Sequence, residues 1–245
     1  MKKTLIVGGA NGIGLSIATV LANMEETEKI FIIDKVDIAK ENLHQKFEFH
    51  QFDLTESDYS IFDYFNDIDS LIITAGFGRL ELFENIPEEL IVKYFNVNTI
   101  PVIRIIKRFY EKLCSNGVFY CGVMVSIAGY LSSPFFSLYG ATKAALRIFI
   151  ESVNVELEKA GSSNRILNIS PGYIQGTSFY SGKTDLLVTR KISEEIITHL
   201  TNREDLFIPN YDSIYKGVLE RYNNDFREEG RRSYDYKLKR INEKK

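Results

Sequence analysis

The chain has 245 residues, 44% of them hydrophobic, enough to bury a large core and suited to a single α/β domain. A net charge of −3 excludes the strongly basic balance of a nucleic-acid or anionic-membrane binder. Cys114, Cys121, His44, His50 and His199 lack the spacing of a zinc site, so free thiols and no metal are expected.

No apolar run reaches the length of a membrane span. Met1-Lys2-Lys3 leads straight into a strand pattern, which leaves no room for a signal peptide. A cytoplasmic protein with no membrane or nucleic-acid partner is expected.

Thr4–Val7 reads as a short buried strand. It enters Gly8-Gly9-Ala10-Asn11-Gly12-Ile13-Gly14, followed by a helical pattern through Ile13, Ile17, Val20 and Leu21. Strand, glycine turn and helix in that order form the setting of a dinucleotide phosphate site. Gly8 serves the turn, Gly12 lets backbone approach pyrophosphate, and Gly14 lets helix pack on strand. Read alone, the spacing G-x-x-x-G-x-G is also compatible with a plain turn. The second strand, Lys29–Ile33, ends at Asp34, about twenty residues on, where a carboxylate accepts hydrogen bonds from ribose hydroxyls and repels a 2′-phosphate. That favours NAD(H), while Lys35 beside it keeps NADP(H) open.

Phe47–Phe52 reads as a third strand with Asp53 at its end, Ser57–Phe65 as a short helix, and Ser70–Thr74 as a fourth strand entering Ala75-Gly76. Alternating strands and helices predict a Rossmann-like, doubly wound parallel sheet with helices on both faces. Ligands in such sheets sit beyond the carboxyl strand ends, where Gly8, Asp34, Asp53, Gly76 and Ser126 all fall. Pro87 opens a helix expected from about Glu88 toward Leu113, and Pro101 predicts a kink near Asn98.

Val123-Met124-Val125 reads as the end of a further strand, with Ser126 emerging from it. A helix is expected from Tyr139 to Lys159 or Ala160, stopped by Gly161. Tyr139 and Lys143, four residues apart, share one face of that helix. A lysine beside a phenol favours the phenolate; moving such a group from about 10 toward 7 takes roughly 4 kcal/mol. A phenol so tuned can exchange a proton with a carbinol or carbonyl oxygen. Arg165–Ser170 is another strand, ending at Pro171-Gly172. A substrate loop is expected at about 173–200, weakly helical from Ile192, and Leu206–Ile208 is a last strand. The charged extension at about 211–245 is expected as a solvated helix or frayed terminus.

Taken together, these motifs resemble the short-chain dehydrogenase/reductase family, in its single-domain branch, over Lys3 to Tyr173. Gly8, Gly12 and Gly14, with Asn11 and Ile13 between them, match the family's cofactor loop. Asp34 matches its NAD-selecting acid, Asp53-Leu54 its adenine contact, and Thr74-Ala75-Gly76 its N-A-G motif with threonine for asparagine. Pro171-Gly172 matches the motif flanking the nicotinamide, with Ile174 and Thr177 following; the threonine falls one place late. Asn98, Ser126, Tyr139 and Lys143 match the catalytic set. Pro101 stands where a glycine is common.

The resemblance implies an NAD(P)(H)-dependent oxidoreductase, NAD(H) favoured, that interconverts a secondary alcohol and a ketone. In it Tyr139 exchanges the proton, Lys143 tunes the phenol and holds the nicotinamide ribose, Ser126 orients the substrate oxygen, and Asn98 holds a relay water. It also implies a homodimer or homotetramer and a small-molecule substrate. An NAD(H)-sensing regulatory protein on the same fold is the alternative. The substrate pocket is expected to draw on 130–136 and 173–191, with Phe135, Phe136, Tyr173, Phe179 and Tyr180 as apolar candidates and Lys183 and Arg190 as anion contacts.

Overall fold

Seven short strands, β1 (Lys3–Val7), β2 (Lys29–Asp34), β3 (Phe47–Gln51), β4 (Ser70–Ile73), β5 (Tyr120–Met124), β6 (Ile166–Ile169) and β7 (Leu206–Phe207), form one sheet. All pair in parallel, in the order β3-β2-β1-β4-β5-β6-β7. The computed structural model describes residues 1–177, 179 and 183–242. Strand order reverses between β1 and β4, which opens a crevice at their carboxyl ends. Val7 stands there in register with Ile33 on one side and Ile73 on the other.

Both faces of the sheet are buried, yet the two-residue period of a strand still sorts its side chains. Leu5, Val7, Phe31, Ile33, Leu71 and Ile73 enter one core layer, with Ile105 of α3 (Ile100–Arg108) and Leu146 and Ile150 of α5 (Ser137–Lys159). Ile6, Ile30, Ile32 and Ile72 enter the other, against Ile17 and Leu21 of α1 (Gly12–Ala22) and Ile196 and Leu200 of α6 (Leu186–Thr201). Among the described residues no helix is long and apolar enough to cross a membrane, and no group of three or more His, Cys, Asp or Glu could hold a metal. Cys114 and Cys121 are both free thiols.

Four expectations change. The helix expected over 88–113 is three pieces, α2 (Glu88–Asn98), α3 and α4 (Tyr110–Cys114). It breaks at Thr99 (φ −121°, ψ −61°) rather than kinking, because Pro101 has no N–H for the carbonyl of Val97. The α5 helix starts two residues before Tyr139, so both Tyr139 and Lys143 lie inside its opening turns. It closes with Gly161 N–H on Glu158 and Ser162 N–H on Leu157, both at 3.0 Å, the paired bonds of a Schellman end.

The expected substrate loop ends early. Asp185 caps α6 by accepting from the N–H groups of Leu187 (3.0 Å) and Val188 (3.2 Å), so a regular helix starts at Leu186. Of that loop, residues 178 and 180–182 lie outside the described residues, Tyr180 among them, as do 243–245 of the tail. The extension takes the helical of its two expected forms rather than the frayed one, and part of it is covered rather than solvated. After one wide turn at Tyr211–Tyr215 it forms α7 (Lys216–Asn224) and α8 (Phe226–Asn242), which fold back over the carboxyl edge of the sheet. An ion pair from Arg221 Nε to Glu229 Oε2 (2.6 Å) ties the two together.

The position of α5 is pinned at its far end by Asn154, whose Oδ1 accepts from Ile166 N–H and whose Nδ2 donates to Ile166 O, each at 2.9 Å. Asn154→Ala leaves the backbone groups of buried Ile166 without these partners and is expected to cost about 2–3 kcal/mol. Urea unfolding of the variant beside the parent measures that loss.

Candidate active site

A cleft of about 1250 Å³ runs along the carboxyl edge of the sheet. Gly8, Asn11, Gly12, Ile13, Gly14, Asp34, Asp53, Leu54, Ala75, Gly76, Ser126, Tyr139, Pro171, Gly172, Ile174 and Thr177 all line it. Of the catalytic and cofactor-contact residues expected from sequence, only Asn98 and Lys143 lie behind the wall rather than on it.

The glycine loop is held by its neighbours. A side chain on Gly14 would place its Cβ 2.2 Å from the carbonyl oxygen of Gly8, so helix and turn touch backbone to backbone. Thr74 secures the turn by donating from Oγ1 to Gly8 O at 2.9 Å, which gives the threonine in the N-A-G position a structural task. Asp34 Oδ2 accepts from Ala10 N–H at 3.0 Å and so braces the same loop from the end of β2. Asp53 closes an Asx turn on Thr55, and the Thr55 N–H bond holds its carboxyl below the usual carboxylate range.

The first N–H of α1, on Gly12, donates to Thr184 Oγ1 at 2.7 Å. A hydroxyl oxygen from the turn before α6 thus occupies the donor that a dinucleotide phosphate uses. Space beyond Gly12 is open, with nothing within 4 Å of where a Cβ would stand. An oxygen acceptor at the helix start, an open face beside it and an acid at the end of β2 fit a dinucleotide cofactor.

At the other end, Ser126 follows β5 with Oγ accepting from Ala128 N–H (3.1 Å) and donating to Pro171 O (3.4 Å). Tyr139 presents its ring among Phe136 (5.3 Å between centroids) and Phe179 (5.2 Å). Lys143 is 2% exposed, and its Nζ donates to Met124 O at 2.8 Å. Burial alone brings its pKa down to about 7.

Asn98 is fully buried and its amide is committed. Oδ1 accepts from Phe77 N–H (2.9 Å), and Nδ2 donates to Phe77 O (2.9 Å) and Thr142 Oγ1 (3.2 Å). The side chain therefore clamps the Phe77 backbone, in the loop after β4, to α5. Gly76 packs where a Cβ would come 3.2 Å from Asn98 Oδ1 and 3.4 Å from Lys143 Nζ. Thr177 lines the cleft with its hydroxyl donating to Ile174 O at 3.1 Å.

Comparison with known proteins decides the family. A model of the short chain dehydrogenase family matches residues 2–185. The chain belongs to that family. Among curated relatives it is 29% identical over 146 residues to 11-beta-hydroxysteroid dehydrogenase 1A of Arabidopsis thaliana, an overlap of 54% of this chain and 38% of that one. It is 26% identical over 204 residues to the 3-oxoacyl-(acyl-carrier-protein) reductase MabA of Mycobacterium avium, covering 80% of this chain and 72% of MabA. Among solved structures, a short-chain dehydrogenase from Streptomyces avermitilis superposes with a TM-score of 0.76 at 18% identity, over 96% of this chain and 100% of the other. A Sphingobium yanoikuyae short-chain dehydrogenase in complex with NADPH gives 0.72 at 20% identity, over 92% and 96%. These superpositions establish the shared fold.

The family match stops before α6, and the residues that sequence reasoning missed lie mostly beyond it. Asn210, Ile214, Tyr215, Val218, Tyr236 and Lys237 line the cleft from the extension. Tyr215 packs so closely on Gly172 that a Cβ there would stand 1.5 Å from its hydroxyl oxygen. Two expected anion contacts are corrected: neither Lys183 nor Arg190 lines the cleft, and Arg190 instead pairs with Glu194 on the outer side of α6 at 2.7 Å. Phe135 also turns away from the cleft, onto Tyr234 at 4.8 Å.

Unfolded, Lys143 titrates near its ordinary 10.5; folded, near 7. Between those values the unfolded chain keeps a proton that the folded chain has released, so this group favours folding increasingly as pH rises. The slope is at most about 1.4 kcal/mol per pH unit. Lys143→Met removes it. The stability of the variant relative to the parent, measured by urea unfolding without cofactor, is expected to be greatest near pH 7 and to shrink toward pH 9.

Proposed function

We propose that this short chain dehydrogenase is an oxidoreductase that interconverts a secondary alcohol and a ketone with a nicotinamide dinucleotide, NAD(H) in preference to NADP(H). The observation that carries the reading is the sharing of one cleft by the glycine loop and Asp34 at one end and Ser126 and Tyr139 at the other, with Lys143 buried directly behind. The nicotinamide supplies or accepts the hydride when bound.

The chain's own groups handle the proton and the geometry. Tyr139 gives a proton to the substrate oxygen during reduction and takes it back during oxidation. Lys143 in its protonated form favours the phenolate, and its proximity to neutral titration lets it return a proton at working pH. Ser126 Oγ turns from Pro171 O to the substrate oxygen, which orients the carbon to be reduced. Asn98 acts as a positioning residue, holding Phe77 and Thr142 so that Gly76 and Lys143 keep their places. Phe136, Phe179 and the α7–α8 pair restrict water around Tyr139.

The preference for NAD(H) rests on Asp34, whose carboxylate sits at the end of β2 beside the loop and repels a 2′-phosphate. Lys35 also lines the cleft and acts in the opposite sense.

Thermal unfolding with NAD⁺, NADH, NADP⁺ and NADPH in parallel tests the cofactor. Ligand at a hundred times its dissociation constant adds about 2.7 kcal/mol, a rise of roughly 5 to 11 °C for a chain of this size. A larger shift with NADPH than with NADH would reverse the assignment of Asp34. Tyr139→Phe is expected to lower turnover by at least a hundredfold and to leave the cofactor shift intact. Retained turnover in that variant would exclude Tyr139 as the proton donor. Cofactor binding without turnover in the parent, across a broad panel of ketones and alcohols, would favour a sensing role.

A further inference from the structure

The α7–α8 pair contributes four cations to the cleft, Arg221, Arg232, Lys237 and Arg240, against one acid, Glu229. That acid is engaged by Arg221, and Arg232 pairs with Glu228 at 3.2 Å. Arg240 lies over the Tyr173 ring, 4.1 Å from its centroid. Lys237 differs from the others. Its Nζ donates to Ser133 Oγ (2.6 Å) and Pro134 O (2.8 Å), and among the described residues no carboxylate pairs with it. It also stands 5.2 Å from the Phe136 ring centroid, and Phe136 in turn packs against Tyr139. One aromatic ring therefore separates this ammonium from the proton-exchanging phenol.

Holding α8 against the 133–134 loop needs only a neutral donor. An ammonium in that place adds the cost of taking a charge out of water without a counter-ion. Burial brings its pKa down to about 8, the sign of that uncompensated cost. An anion arriving in the cleft offsets the cost and leaves two of the three ammonium hydrogens on the loop, with the third for the ligand.

We propose that Lys237, flanked by Arg240, receives an anionic group on the substrate, so that the compound turned over is a short ketone or secondary alcohol carrying a carboxylate or a phosphate. The inference rests on the oxidoreductase reading above for the position of the carbonyl, but the anion site itself is defined by the cap. The neutral substituent of the ketone would lie toward Phe179 and Leu80, which line the same cleft.

The test reads binding apart from turnover. The full chain saturated with cofactor is titrated with pyruvate, acetoacetate, levulinate and dihydroxyacetone phosphate, each beside its uncharged partner (the methyl esters and dihydroxyacetone), following the unfolding temperature. At least one anion is expected to stabilise the complex saturably and at least tenfold more tightly than its partner. Lys237→Met is expected to abolish that preference, and Lys237→Arg to keep most of it. The carboxylate and phosphate arms separate the two chemistries. Equal response to charged and uncharged partners, no response to any of the four anions, or an unchanged preference in Lys237→Met would overturn the proposal. Should Lys237→Met fail to fold, Lys237→Gln retains a donor to the loop and decides the same question. Anion binding that persists when Tyr139→Phe has no activity, or when the parent itself has none, separates the fate of this site from that of the catalytic reading.

Discussion

Lys143 is taken out of water by α5 and by the end of β5, and much of the site depends on keeping it there. Its ammonium reaches Met124 O at the point where β5 gives way to Ser126, so the same contact fixes the helix, the strand end and the turn that carries Ser126. Asn98 and Thr99 close the arrangement from the other side by bonding to Thr142, one residue before the lysine. The break between α2 and α3 is what brings those two side chains to α5. A continuous helix would carry them past it. An interrupted helix and a desolvated charge thus lie within a few residues of each other in space, on the inner side of the cleft wall.

Most of the fold and of the cleft's floor could be read from the chain. Apolar runs as short as Ser70–Ile73 have meaning in a parallel sheet because both faces are covered, and the residues that follow each run are the ones that meet a ligand. Gly8, Asp34, Asp53, Gly76 and Ser126 needed only that rule. Asn98 was legible as a position at the helix break, and its amide bonds to Phe77 and Thr142 were not, because a side-chain amide can bond to water or to backbone and the sequence does not say which. Asp185 was a cap signal left unread: an acid before Leu-Leu-Val starts a helix, and the polar stretch before it concealed the start.

The cleft-facing side of the extension was missed for a different physical reason. Along α8, Glu229, Ser233 and Lys237 recur every four residues, as do Arg232, Tyr236 and Arg240. A polar stripe at helical spacing ordinarily faces solvent, and here it faces a cleft instead. Hydrophobic periodicity identifies what is buried against other side chains; it is silent about surfaces arranged around a ligand. The burial of Glu229 and Gly230 and the desolvation of Lys237 distinguish this helix from a solvated one, and those are properties of three dimensions.

Tyr215 lies beyond the stretch that the family model matches, whereas Gly172 lies within it. Their contact ties one to the other: with the tyrosine hydroxyl where it is, position 172 admits no side chain at all. Drift at either site is therefore conditional. An alanine at 172 becomes tolerable only after residue 215 has shortened or swung away, and a chain that has lost the tyrosine is free to explore both. Descendants of this sequence are expected to change the two positions in a fixed order, residue 215 first and residue 172 second.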